Sequence, residues 1–231
     1  ADVPLYVYAF QDQLTLYRDL SGASLHRRGY RDAMHRSPLN ESAAAGLLML
    51  AGWDKLCLSG DAVLADPMCG SGTILLEAAL MALNVAPGLA RATGRDQFPF
   101  LKWPDLDAQG WKAAVQEAKD MARPSQKFTL FGNDINAGAH SLAMRDIRHT
   151  QLTHCIRLHL GDCATWELPQ APQLVVTNPP WGLRLSGSHL PAEQSSGHLD
   201  LSALDPQGTA PTDQEALNTC WRSLSDFLRA Q

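Results

Sequence analysis

Residues 62–73, Ala62-Val63-Leu64-Ala65-Asp66-Pro67-Met68-Cys69-Gly70-Ser71-Gly72-Thr73, decide the predicted fold. The stretch begins with a short apolar run that ends at Asp66, which is typical of a buried parallel strand. A glycine-rich turn follows, and we predict a helix over 71–83 after it. Strand, turn and helix in this order indicate an open α/β sheet, in which ligands bind beyond the carboxyl ends of the strands.

The same alternation continues downstream. Apolar patterns predict strands at 128–135, 156–161 and 174–177. We predict helices at 38–53, 107–122, 137–149 and 215–230, an insertion at 84–126 and a long polar loop at 182–213. The fold class is therefore α/β, a doubly wound Rossmann-like sheet. Because four strands would leave one sheet edge uncovered, we expect the fold to be truncated at its C-terminal strands.

The N-terminal part differs from the rest in pattern and charge. Apolar residues alternate over 4–18 and predict a short β-hairpin with a polar break at 11–13. The chain as a whole has a net charge of −5, which does not favour contact with phosphates, but residues 18–36 contain five arginines and only two aspartates. This segment is the candidate nucleic-acid contact. The alternative, a solvated hairpin whose arginines pair with acidic residues elsewhere, is equally open. We predict two parts, 1–36 (hairpin and basic linker) and 37–231 (α/β domain).

Composition argues against several classes of protein. No apolar stretch is long enough to cross a bilayer, and residues 1–13 lack the pattern of a secretory signal. The five cysteines form no C-x-x-C pair, so we expect reduced thiols, no metal site and a cytoplasmic location, with an organelle as the alternative.

The loop after the first strand is the first candidate ligand contact. Gly70 and Gly72 let the backbone approach a ligand, and the exposed N–H groups at the start of the helix favour a carboxylate or phosphate. The loop matches neither G-x-G-x-x-G nor a P-loop, so a dinucleotide or nucleoside triphosphate is disfavoured. A plain glycine turn before a helix is the alternative.

Two acidic residues follow the next two strands. Asp134 stands where a carboxylate can accept both hydroxyls of a ribose, and Ile135 can pack on an adenine face. Asn136 is better placed than Asp134 to cap the next helix, which leaves Asp134 for the ribose. Asp162 can accept from an adenine amino group or can be an ordinary turn aspartate.

The last strand ends in Thr177-Asn178-Pro179-Pro180-Trp181. The two prolines make the turn rigid and remove N–H groups. The amino group of a base is a poor nucleophile because its lone pair is delocalised into the ring. The Asn178 side-chain oxygen and the Pro179 carbonyl can each accept one of its N–H groups and orient it, while Trp181 offers a stacking face. The alternative is a proline-rich turn with a tryptophan in the core.

As a set, these motifs resemble a known family. D-P-M-C-G-S-G-T followed by N-P-P-W is similar to the S-adenosylmethionine and target-amine motifs of Rossmann-like N-methyltransferases. Residues 19–31 (DLSGASLHRRGYR) and 37–41 (SPLNE) resemble the bacterial large-subunit rRNA guanine-N2 methyltransferases and their THUMP-containing tRNA relatives. The resemblance implies methyl transfer from S-adenosylmethionine to N2 of a guanine in RNA, with rRNA favoured over tRNA as the substrate. It also implies a THUMP domain upstream.

The resemblance also implies roles for individual residues. The implied cofactor-binding residues are Asp66, Pro67, Cys69, Gly70, Gly72, Thr73, Asp134, Ile135, Asp162 and Cys163. The implied catalytic residues, which hold the target base, are Asn178, Pro179, Pro180 and Trp181. The implied RNA contacts are Arg27, Arg28, Arg31 and Arg184.

The chain departs from the family pattern at three positions. Trp181 stands where a tyrosine is frequent, Asn40 where a lysine is common, and Leu183 where an acidic residue is common.

Two further functions stay open. One is methylation of another planar amine, such as N6 of adenine in DNA or a glutamine side chain, and the other is a non-catalytic cofactor-binding module for RNA. The sequence gives no indication of the oligomeric state.

Overall fold

The computed structural model describes residues 3–31, 39–94, 97–181 and 211–231, with side chains from residue 214 onward in the last range. In these ranges the strands are β1 (Leu5–Phe10), β2 (Gln13–Arg18), β3 (Ala62–Asp66), β4 (Phe128–Asp134), β5 (Ile156–Leu160) and β6 (Leu174–Val175). The α-helices are α1 (Glu41–Leu50), α2 (Trp53–Leu56), α3 (Thr73–Ala82), α4 (Leu89–Thr93), α5 (Ala108–Asp120), α6 (Ala137–His149) and α7 (Pro211–Ala230). Short 3-10 turns span Pro99–Lys102 and Cys163–Thr165. Arg36, Leu183 and Arg184 lie outside the described residues.

The central sheet is parallel and has the order β5-β4-β3-β6. From β3 the chain moves outward through β4 to β5, and it then returns so that β6 pairs with the other side of β3. The order of the strands therefore reverses between β3 and β6. In open α/β sheets the ligand crevice lies at such a switch point, beyond the carboxyl ends of the strands.

Side-chain alternation along β3 shows that both faces of the sheet are covered. Ala62 and Leu64 belong to a large core with α1 and α3, whereas Val63 and Ala65 belong to a second core with Phe227 of α7. Because successive side chains of a strand point to opposite faces, the two cores lie on opposite sides of the sheet. The predicted doubly wound α/β class is confirmed. Further C-terminal strands stay a prediction.

Most predicted elements form, with differences at their ends. Helix α6 has the predicted bounds, and β3 ends at Asp66 as predicted. Helix α1 begins at Glu41, three residues later than predicted, because the Asn40 side chain caps it by accepting from the Ser42 and Ala43 amides. Strand β6 is two residues long instead of four. Helix α7 begins at Pro211, four residues earlier than predicted.

The N-terminal hairpin of β1 and β2 is confirmed. Gln11 and Asp12 form its two-residue turn with φ of 45° and 57°, the left-handed values that suit the twist of a hairpin. Arg18 joins the hairpin to the insertion by an ion pair with Asp105 (2.8 Å) and by contact with the face of Trp103. The division after residue 36 stays a prediction.

No helix among the described residues is long and apolar enough to cross a membrane.

Candidate functional site

Backbone hydrogen bonds bring the loops after the parallel strands together at one edge of the sheet. The Cys69 amide donates to the Asn133 carbonyl (2.8 Å), and the Gly70 amide donates to Asp134 Oδ2 (2.8 Å). On the other side of β3, the Val176 amide donates to the Ala65 carbonyl (3.1 Å) and leads the chain toward Asn178. The edge therefore collects most of the polar residues singled out from the sequence.

Asp66 lies at the end of β3 and is 1% exposed. Burial raises the pKa of Asp66 to about 7, while the nearby Thr177 hydroxyl and the Met68 amide, which donates to Oδ1 (3.3 Å), oppose the rise. The carboxyl of Asp66 therefore lies in the protein interior, where it supports the loop at 67–73 instead of facing solvent.

The two glycines of the loop have different surroundings. Gly70 and Gly72 have φ of +55° and +79°, conformations that disfavour other residues. A Cβ on Gly70 would meet no atom within 4 Å, so this backbone faces open space as expected for a ligand contact. A Cβ on Gly72 would lie 3.3 Å from the Ala143 side chain, so Gly72 serves the packing of α3 against α6.

The side chains of the remaining residues of this loop point inward. Pro67 is fully buried, Cys69 is 7% exposed, and burial raises the pKa of the Cys69 thiol well above its usual range. Thr73 is also buried, and its hydroxyl accepts a hydrogen bond from Arg31. These residues shape the loop around the open backbone of Gly70.

Asp134 and Ile135 lie next to each other at the carboxyl end of β4. The Asp134 oxygens accept from the amides of Gly70 and Asn136 at 2.8 Å each, which fixes the carboxylate at the strand end. A carboxylate offers about four acceptor positions, so acceptors stay open for hydroxyl groups. Ile135 is 74% exposed beside it. Asn136 caps α6 by accepting from the Ala139 amide, as the sequence predicts.

The loop after β5 corrects one expected role and leaves another to be tested. Asp162 is exposed, and it caps a 3-10 turn by accepting from the Ala164 amide (3.0 Å) through Oδ1. It is therefore a turn aspartate, with Oδ2 still able to accept from a ligand. Cys163 is 4% exposed and belongs to the core under α7, so its side chain does not face the edge.

The turn after β6 presents its polar groups to solvent. Asn178 is exposed and Trp181 is 79% exposed, which excludes a tryptophan buried in the core. The Trp181 indole N–H donates to Asn178 Oδ1 (3.2 Å). Since an amide oxygen has two lone pairs, Asn178 can still accept from a second donor.

Two of the arginines expected to contact RNA form ion pairs within the fold. Arg28 pairs with Glu77 of α3 (3.3 Å) and Arg31 pairs with Glu41 of α1 (3.3 Å), and both arginine side chains are at most a tenth exposed. The Tyr30 hydroxyl also donates to Glu77 (3.0 Å). These arginines hold the segment against α1 and α3 instead of facing a polyanion.

Arg27 is exposed and stays a candidate RNA contact, whereas Arg184 lies outside the described residues.

A buried polar residue to which the sequence patterns assigned no role lies at the centre of the site. Asn133 is 1% exposed and hydrogen-bonds to residues of three loops or strand ends. An amide beside Asp134 at the end of an apolar strand was a signal, because alternation puts Asn133 on the face opposite to Asp134.

Among the described residues, no group of three or more His, Cys, Asp or Glu side chains can hold a metal ion.

Comparisons with known proteins identify the family of this chain. The family model "RMKL-like, methyltransferase domain" (UPF0020) matches residues 28–191. A ribosomal RNA large subunit methyltransferase K/L from Allochromatium vinosum is 39% identical over 189 residues, which cover 80% of this chain and 25% of that relative. The chain thus spans about a quarter of the length of this curated relative.

Solved structures show the same fold. A "predicted N6-adenine-specific DNA methylase" from Listeria monocytogenes is 32% identical, with a TM-score of 0.71 over 95% of this chain and 48% of that one. A methyltransferase solved in complex with SAH (S-adenosylhomocysteine) is 28% identical, with a TM-score of 0.68 over 80% of this chain and 45% of that one.

Proposed function

Because the chain belongs to the RMKL-like methyltransferase family, we propose that it transfers a methyl group from S-adenosylmethionine to N2 of a guanine in large-subunit ribosomal RNA. The name of the Allochromatium relative supports the ribosomal substrate, and the SAH bound to a solved relative supports the cofactor. The observation that carries the proposal is the exposed Asn178–Trp181 turn, which lies at the switch point of the sheet next to the glycine loop.

The residues at this edge fit S-adenosylmethionine, which when bound supplies an electrophilic methyl group. The open backbone at Gly70 leaves room for the amino-acid part of the cofactor. The fixed Asp134 carboxylate can accept from the ribose hydroxyls, and the exposed Ile135 can cover the adenine. The free oxygen of Asp162 can accept from the adenine amino group.

The turn after β6 can orient the amine of the target base. The Asn178 oxygen and the Pro179 carbonyl are acceptors on a rigid turn, so each can take one N–H of the exocyclic amine. Holding both N–H groups directs the nitrogen lone pair toward the methyl donor, which is catalysis by positioning more than by strong base. The exposed face of Trp181 can stack on a base that has left its helix.

The basic segment offers an exposed arginine for contact with RNA. Arg27 is exposed on the basic segment, and we propose it, with Arg184, as a phosphate contact. An enzyme that modifies ribosomal RNA in bacteria works in the cytoplasm, which is where we place this one.

The decisive experiment is methyl transfer from labelled S-adenosylmethionine to unmodified large-subunit rRNA, followed by nucleoside mass spectrometry. We expect N2-methylguanosine with the wild-type chain and none with Asn178→Ala. A parallel arm with duplex DNA tests the rival target, and N6-methyladenine from DNA alone would refute the proposed substrate. SAH binding without transfer to either nucleic acid would favour the non-catalytic module.

A further inference from the structure

Asn133 makes a set of hydrogen bonds that connects the loops of the proposed cofactor site. Its side-chain Nδ2 donates to the Pro67 carbonyl (3.0 Å) in the loop after β3 and to the Gly161 carbonyl (3.1 Å) in the loop after β5. Its Oδ1 lies 2.7 Å from His159 Nδ1 on β5. Its backbone carbonyl accepts from the Cys69 amide (2.8 Å). Asn133 itself directly precedes Asp134.

Only a primary amide satisfies these partners. The two carbonyls need two N–H donors, so the amide nitrogen must face them and the amide oxygen must face His159. The proton of the neutral imidazole is then assigned to Nδ1. A carboxylate of the same shape would face two carbonyl oxygens with no proton to donate. An aliphatic side chain would leave polar groups unpaired near the protein interior, which costs more than the bonds gain when made.

The imidazole of His159 is itself held in place. Its ring stacks on Trp166 (centroids 6.1 Å apart, planes at 13°), and Trp166 stacks on Phe227 of α7 (5.4 Å, 15°). The stacking and the contact with Asn133 restrict the orientation of the ring, although His159 is exposed to solvent. The backbone of Asn133 belongs to β4, and its side-chain oxygen contacts the first ring of this aromatic stack.

We infer that Asn133, assisted by His159, is a positioning residue for the cofactor, acting through the loops that it ties together. It sets the distance between the turn at 67–70 and the turn at 161–162, with Asp134 between them. These turns carry the backbone of Gly70 and the side chain of Asp162. The inference rests on the proposed function, since it concerns the affinity of that same site.

The test measures SAH affinity by calorimetry for the wild-type chain and for Asn133→Asp. A matched control is Asn84→Asp, because Asn84 also donates its amide to a carbonyl (Met121, 2.8 Å) but follows the end of α3 that is opposite to the glycine loop. We expect Asn133→Asp to weaken SAH binding about tenfold or more, and Asn84→Asp to leave it unchanged. Circular dichroism and urea unfolding give the folded fraction, so the dissociation constant refers to folded protein only.

A merely structural role would lower the stability of Asn133→Asp while leaving the affinity of the folded fraction unchanged, and that result would overturn the inference. A second variant, His159→Phe, keeps a ring against Trp166 and removes only the bond to Asn133. It should weaken SAH binding about fivefold. If Asn133→Asp does not fold, this variant provides the test, and unchanged SAH binding by His159→Phe would overturn the inference. If the wild-type chain itself binds no SAH, the proposed function fails first, and this inference fails with it.

Discussion

The buried carboxyl of Asp66 makes the stability of this protein depend on pH in a way that one substitution can remove. Burial raises the pKa of Asp66 from 3.8 to about 7 in the folded protein. A carboxyl that holds its proton more firmly when folded stabilises the fold while protonated, so ionisation costs stability. The wild-type protein should therefore lose this contribution progressively as pH rises from about 4 to about 7. Asn at this position keeps the shape and cannot ionise.

The size of the effect follows from the shift. The pKa rises by about 3 (from 3.8 to about 7), and each pKa unit corresponds to about 1.4 kcal/mol. Asp66→Asn should therefore gain stability relative to wild type, from near zero at pH 4 to at most about 4 kcal/mol above pH 7. The amide can still accept from the Met68 amide, as Oδ1 of Asp66 does at 3.3 Å.

The assay is urea unfolding of both proteins in the absence of cofactor, at a series of pH values from 4 to 8. The difference between the two free energies of unfolding isolates Asp66, because all other titrating groups are shared. A difference that stays constant over this range would refute the reasoning, since it would mean that Asp66 ionises in the folded protein at the pKa of an exposed aspartate.

Three further predictions concern the site and its support. Asn178→Ala should lower methyl transfer by about 100-fold or more and leave SAH affinity near normal in calorimetry, because the residue positions the target and not the cofactor. Asp134→Ala should weaken SAH binding by about tenfold in the same calorimetric measurement, because this residue contacts the cofactor. Weakened SAH binding by Asn178→Ala together with normal SAH binding by Asp134→Ala would contradict both roles. Glu77→Ala should lower the free energy of unfolding by about 3 kcal/mol, because Arg28 and the Tyr30 hydroxyl lose their buried acceptor. In a thermal melt this corresponds to a fall of roughly 10 °C for a chain of this size, and a change within about 1 °C would show that the pair is solvated.

Local sequence determined the elements that local physics can specify. The apolar run that ends at Asp66 identified β3, and the start of α6 follows from Asn136, whose side chain caps the helix from within the same segment. The exposed Asn178–Trp181 turn was likewise readable, since two consecutive prolines restrict the backbone wherever they occur. The turns at the strand ends could be assigned to one site because parallel strands of a sheet end at a shared edge.

The partners of buried polar groups were decided only by the tertiary structure. Arg28 and Arg31 read as a basic surface in sequence, yet they pair with Glu77 and Glu41, which α3 and α1 bring to them. Asn133 contacts carbonyls 66 and 28 positions away. Whether a polar side chain is solvated or buried depends on what the folded chain places around it. Spacing in sequence specifies helices, strands and turns because their hydrogen bonds are short-range, but it does not specify which distant group will meet a given side chain.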